Sequence, residues 1–122
     1  MCDAETALIL VLVRDLTFSG RILAEARAAG AAVKVIRDPA QVLKLDGVGG
    51  NLMIVDLNLP GAIAAAGQWR QTAGRTVVGF VSHEDVQTIG QARSAGVDQI
   101  LARSRFVQVL PDLLKMSQPP GQ

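Results

Sequence analysis

Short, uninterrupted apolar runs, each stopped by a polar or charged residue, constrain this chain more than any other feature. Ala7-Leu8-Ile9-Leu10-Val11-Leu12-Val13 stops at Arg14-Asp15, Leu52-Met53-Ile54-Val55 at Asp56, and Thr76-Val77-Val78-Gly79-Phe80-Val81 at Ser82. Runs of this length without polar alternation suit strands buried on both faces. None is long enough to span a bilayer, and the first has no basic region before it, so a soluble, cytoplasmic protein is expected. Ala32-Val33-Lys34-Val35-Ile36 reads as a more exposed strand, and Gln99-Ile100-Leu101-Ala102 as a fifth, ending at Arg103-Ser104.

Helical spacing fills the gaps between these runs. Phe18, Ile22, Ala26 and Ala29 mark a helix over 16–29 that Gly30 stops. Asp38-Pro39 is a helix start, with Asp as N-cap and Pro in the first position, and a short helix follows through Val42 and Leu43. Ile63, Ala66 and Trp69 predict a helix from about Ala62 to Thr72 with Gly74 as its end. Val86, Ile89 and Ala92 predict another, stopped at Ala95-Gly96. Val109, Leu110, Leu113 and Leu114 share one face of a last helix. Proline damages a helix interior, so its regular part is predicted to begin near Gln108, with Pro111 in the first turn.

Strand followed by helix, five times over, implies an α/β fold: a parallel sheet covered on both faces and joined by right-handed crossovers. For 122 residues the expected solution is a flavodoxin-like, doubly wound sheet of five strands in the order 2-1-3-4-5. One domain over 1–122 is expected, its core about 7–116, with residues 1–6 loose and 117–122 a disordered tail.

Composition narrows the function. Twelve basic and eleven acidic side chains leave a formal net charge of +1, which gives no footprint for nucleic acid or an anionic membrane. The single cysteine, Cys2, makes no internal disulfide and no multi-cysteine metal site. The glycine-rich stretch 46–50 precedes a strand instead of joining a strand to a helix, so it reads as a connection. His83, the one histidine, reads as a helix-head residue and not as a triad partner of Ser82. Trp69, Phe18, Phe80 and Phe106 read as packing residues, and no nucleophile–base pair argues for an enzyme.

Ligands of open α/β sheets bind outside the carboxyl ends of the strands, at the point where strand order reverses. Arg14, Asp15 and Asp56 flank that crevice, and Ser82 and Arg103 end the neighbouring strands. An ionised carboxylate is costly to bury, so Asp56 should sit where its strand emerges. Two roles stay open for it on this reading, chemistry or the capping of the turn that follows.

From about Leu8 to Leu114 the chain resembles the bacterial response-regulator receiver domain (CheY-like). The resemblance is carried by Val55-Asp56-Leu57-Asn58-Leu59-Pro60-Gly61, by Ser82 after Gly79-Phe80-Val81, and by the helix stop Ala95-Gly96-Val97-Asp98. It implies Asp56 as phosphoacceptor and Ser82 as the hydroxyl that contacts a phosphoryl group. It also implies a magnesium ion held by Asp15, Asp56 and the backbone carbonyl of Asn58. The departures are Arg14 for the first of two acids, Arg103 for a lysine, Ser104 for the following proline, and Ile100 for the aromatic switch residue.

These departures point to an atypical module that binds a protein partner, a histidine kinase or a downstream target, with phosphorylation of Asp56 and magnesium binding both disfavoured. A true stand-alone response regulator, taking phosphoryl from a histidine kinase onto Asp56 with magnesium, is the second reading, and a flavodoxin-like small-ligand binder the third. Arg14 and Arg103 are candidate phosphoryl contacts. The guanidinium of Arg14 is expected to reach the Asp15–Asp56 pocket in the electrostatic role of the metal and to lower the Asp56 pKa, the alternative being that it points to solvent. The resembled family uses helix four, strand five and helix five as a partner or dimer face. Here Val97, Ile100, Arg105, Phe106 and Val107 are expected to form it.

Overall fold

Each apolar run becomes one strand of a single parallel sheet in the computed structural model, which describes residues 8–44, 51–72, 74–82 and 85–116. The strands are β1 (Leu8–Leu12), β2 (Ala32–Ile36), β3 (Leu52–Asp56), β4 (Thr76–Val81) and β5 (Gln99–Ala102). The helices are α1 (Leu16–Ala29), α2 (Pro39–Lys44), α3 (Ala62–Trp69), α4 (Val86–Ala95) and α5 (Arg103–Met116). Sheet order is β2-β1-β3-β4-β5, as expected, with Leu12 opposite Val55 and Asp56 opposite Phe80. The readings of Cys2, of residues 46–50, of His83 and of both chain ends fall outside the described residues. No described helix is long and apolar enough to cross a membrane.

The period of two along each strand sorts the core into two layers. Ile9, Val11, Ile54, Val78 and Phe80 face α1 and α5, where they meet Phe18, Ile22, Phe106 and Leu110. Leu10, Leu12, Met53, Val55 and Val77 face the other way, toward Val42 of α2, Ala62, Ala66 and Trp69 of α3, and Ala92 of α4. Helix ends follow the local chemistry. Asp15, Asp38 and Asp85 each accept a backbone N–H from the first turn of α1, α2 and α4, and Gly30 and Gly96 close α1 and α4 in the left-handed conformation.

Three expectations need correction. Helix α3 ends at Trp69 instead of near Thr72: the Arg70 N–H still reaches the Ala66 carbonyl, but the Gln71 N–H bonds to the Gln68 carbonyl, a tighter turn that closes the helix, and the Arg70 side chain forms a two-armed pair with Asp98. Asp98 also accepts the Val77 N–H at 2.8 Å, so one carboxylate joins the end of α3, the start of β4 and the turn before β5. Helix α5 begins at Arg103 and carries Pro111 in its interior. Burial of Phe106 and Leu110 on the same face as Leu114 outweighs the hydrogen bond that proline removes. The expected association face also fails at its apolar anchors. Val97 and Phe106 are core residues, Ile100 and Val107 are half-buried against the two core layers, and only Arg105 is exposed. Because α5 follows β5 without a loop, Phe106 turns inward onto Phe80 instead of outward.

Candidate functional site

The carboxyl edge of the sheet assembles from two pairs of strand ends. At β3, Asp56 is half-buried and folds into an Asx turn: its Oδ1 accepts the Asn58 N–H at 3.0 Å, and its carbonyl accepts the Leu59 N–H at 3.1 Å. The Asn58 side chain then reaches across to β4, where its Oδ1 accepts the Ser82 N–H at 2.8 Å. Between these two polar residues Leu57 points inward, over Gly79 of β4. One loop therefore presents Asp56 and Asn58 outward and anchors itself through Leu57.

At β1, Asp15 is the N-cap of α1, and its Oδ1 accepts the Phe18 N–H at 3.1 Å. Its Oδ2 lies 3.4 Å from Nη2 of Arg103, the first residue of α5. The Arg103 guanidinium carbon sits 4.0 Å above the centre of the Phe18 ring, a cation–π stack. Phe18 in turn packs on Phe80 at 5.0 Å and on Phe106 at 5.9 Å. A cleft of about 520 Å³ opens here, lined by Asp15, Thr17, Phe18, Arg21, Arg103 and Val107.

Asp15, Asp56 and Arg103 lie within one another's electrostatic reach. Burial pushes the Asp56 carboxyl above its ordinary value, and the Asp15 charge adds to that. The Asn58 N–H and the Arg103 guanidinium offset part of the shift. Asp15 is held below its ordinary value, first by the Phe18 N–H and then by Arg103. The expectation for Arg14 is thereby overturned. Its side chain is exposed and forms no ion pair with either carboxylate among the described residues, whereas Arg103 pairs with Asp15. The Asp56 pKa rises where a fall was expected, because desolvation exceeds the pull of the cation.

Two contributors were not assigned to the site from sequence. Phe18 carries the helical spacing of a core residue, and nothing in that spacing reveals the guanidinium on its exposed face. Gly79 did leave a signal, since a glycine inside a buried strand marks a close approach of another group.

No family sequence model matches the chain, and no curated protein sequence does. Solved structures do. A response regulator protein from Burkholderia pseudomallei, with a phosphorylated aspartic acid, a calcium ion and citrate, is 20% identical, with a TM-score of 0.73 over 85% of this chain and 65% of the other. This chain thus spans just under two thirds of that protein. A CheY-like receiver domain protein from Methanospirillum hungatei is 13% identical, with a TM-score of 0.76 over 92% of this chain and 96% of that one. The manganese-bound form of the response regulator Rcp1 is 18% identical, with a TM-score of 0.71 over 90% of each chain.

This chain has the receiver-domain fold.

Likenesses at these identities show the fold and leave the chemistry to the residues at this chain's own strand ends. Those residues offer magnesium a reduced set of ligands. Octahedral magnesium takes oxygen ligands and relies on carboxylates to offset its dehydration. Among the described residues no group of three His, Cys, Asp or Glu side chains comes together to hold a metal. Of the two carboxylates present, Asp15 is already engaged by a guanidinium and by the α1 cap.

Burial of Asp56 makes a prediction with a definite sign. A carboxyl whose pKa is raised on folding binds its proton more tightly in the folded state, so its ionisation costs stability above the folded pKa. That cost fades as pH falls through the folded pKa toward the ordinary value of 3.8. Asp56→Asn, which retains an Oδ1 for the Asn58 N–H, is expected to raise the thermal midpoint at neutral pH. The gain should shrink on acidification, as followed by circular dichroism. A lower midpoint at neutral pH would show instead that the ionised carboxylate is fully compensated.

Proposed function

We propose that this chain is an atypical receiver-like signalling module that acts by binding a protein partner of the kinase or downstream-target class, and that Asp56 is a poor phosphoryl acceptor. A cytoplasmic site of action accompanies this reading. The observation that carries it is the engagement of Asp15: the one acid at the end of β1 is paired with Arg103 and caps α1, while Arg14 replaces its acidic neighbour and faces solvent. Phosphoryl transfer depends on positioning and on neutralising charge at the transferring group, work that bound metal ions share. A crevice in which one of two carboxylates is already paired with a guanidinium holds that ion less well and so lacks part of the machinery.

Incubation with a small phosphodonor such as acetyl phosphate, with and without magnesium, followed by intact-mass measurement, tests the proposal. The expected result is no stoichiometric phosphoryl adduct in either condition. The second reading, a true response regulator phosphorylated on Asp56, is favoured by the Asn58–Ser82 hydrogen bond, which holds Ser82 beside the Asp56 turn. It also draws on the phosphorylated aspartic acid and calcium ion of the B. pseudomallei protein. Rapid magnesium-dependent labelling that disappears in Asp56→Asn would put that reading first.

A further inference from the structure

We infer that Arg103 is the resident cation of the Asp15–Asp56 crevice and keeps divalent metal out of it, an inference that rests on the receiver-like reading above. Three features hold the guanidinium there. Asp15 Oδ2 lies 3.4 Å from Nη2 of Arg103. The Phe18 ring lies 4.0 Å beneath Cζ, a planar contact that suits guanidinium far better than ammonium. The backbone completes the arrangement, because Arg103 starts α5 where β5 ends, with no intervening loop to let it withdraw.

The platform under the cation is built into the core. Phe18 is 5% exposed and tilts against Phe80, whose backbone pairs with Asp56 in the sheet register. The ion pair alone would be weak, since both side chains are more than a third exposed. Stacking on a buried ring adds attraction and direction. The charge acts on both carboxylates, lowering the pKa of Asp15 and opposing the rise at Asp56. A divalent ion entering the crevice meets one carboxylate already paired, a second that is half-buried, and a fixed like charge.

The test is a manganese titration of the full chain, read by paramagnetic broadening of the backbone amides of Asp15, Asp56 and Asn58. The expected result is no saturable broadening in the native protein and a gain in manganese affinity of roughly tenfold or more in Arg103→Ala, the size of removing one like charge from a partly solvated site. Arg103→Lys, which keeps the charge but loses the planar stack, should gain less. Phe18→Leu, which keeps the apolar filling but removes the aromatic face, should also gain part of the affinity. Amide dispersion in the same spectra shows that each variant is folded. Saturable manganese binding by the native protein, unchanged in Arg103→Ala, would overturn the inference. So would a gain seen in Arg14→Asp but in neither Arg103 variant, because the missing acid would then be the whole cause. Phosphodonor labelling of the same variants separates this inference from the functional proposal. Labelling of native Asp56 in metal-free buffer would refute poor acceptance and leave the role of Arg103 standing.

Discussion

Phe106→Ala is expected to lower the unfolding free energy by about 3–5 kcal/mol, the range for truncating a fully buried aromatic ring. Phe106 is 0% exposed, stacks on Phe80 at 5.0 Å with 25° between the ring planes, and touches Phe18. Its neighbours Leu110 and Leu114 on α5 are equally enclosed, so the space vacated by the ring has few ways to collapse. Urea unfolding with an unchanged slope would measure the loss directly. An association anchor on the surface would behave differently, leaving monomer stability nearly intact and making self-association sensitive to the substitution. A loss below about 1 kcal/mol would therefore contradict the core placement, since surface changes usually stay near that scale. The same ring supports Phe18, so the Arg103 stack should loosen in this variant.

Gly79→Ala is expected to cost about 1–3 kcal/mol through overpacking. A Cβ at this position would stand 2.6 Å from Cγ of Leu57 and 2.7 Å from both of its methyl carbons, closer than carbon atoms approach. Leu57 is 2% exposed and its N–H donates to the Phe80 carbonyl at 2.9 Å, so neither its side chain nor its backbone yields easily. Strain at Leu57 passes to the residues on each side of it, Asp56 and Asn58. The amide resonances of Asn58 and Ser82 should shift even though the new methyl group touches neither. Leu57→Ala alone leaves a cavity and is expected to cost about 2–5 kcal/mol. In the double variant the smaller side chain accommodates the methyl group, so the combined loss should fall short of the sum by about 1 kcal/mol or more. Strict additivity would show that Leu57 repacks elsewhere and that Gly79 does not position the loop.

Much of this architecture was legible along the chain because it depends on local chemistry. Apolar runs without polar alternation are buried on both faces wherever they lie in a parallel sheet, so the five strands and their order followed from β1, β3 and β4 and from the helices between them. Asp38, Gly30 and Gly96 mark helix ends through contacts a few residues away, and the structure puts each of them at one, adding Asp15 and Asp85 as caps. Asp56 emerges half-buried from its strand because an ionised carboxylate resists full burial.

Tertiary structure decided what depends on partners distant in sequence. Arg14 and Arg103 are both strand-end arginines, and charge patterning gives no means of choosing between them. Only the docking of α5 beside α1 puts Arg103 against Asp15, 88 positions away, and onto Phe18. The direction of the Asp56 shift depends on how much water the neighbouring elements remove, a property of packing and not of the adjacent residues. Val97 and Phe106 lie in the region that the resembled family uses as a partner face, although Phe106 also reads as a packing residue, and a short apolar segment beside polar residues fits a core or an interface equally well. The start of α5 directly after β5 turned Phe106 inward, and the core took it.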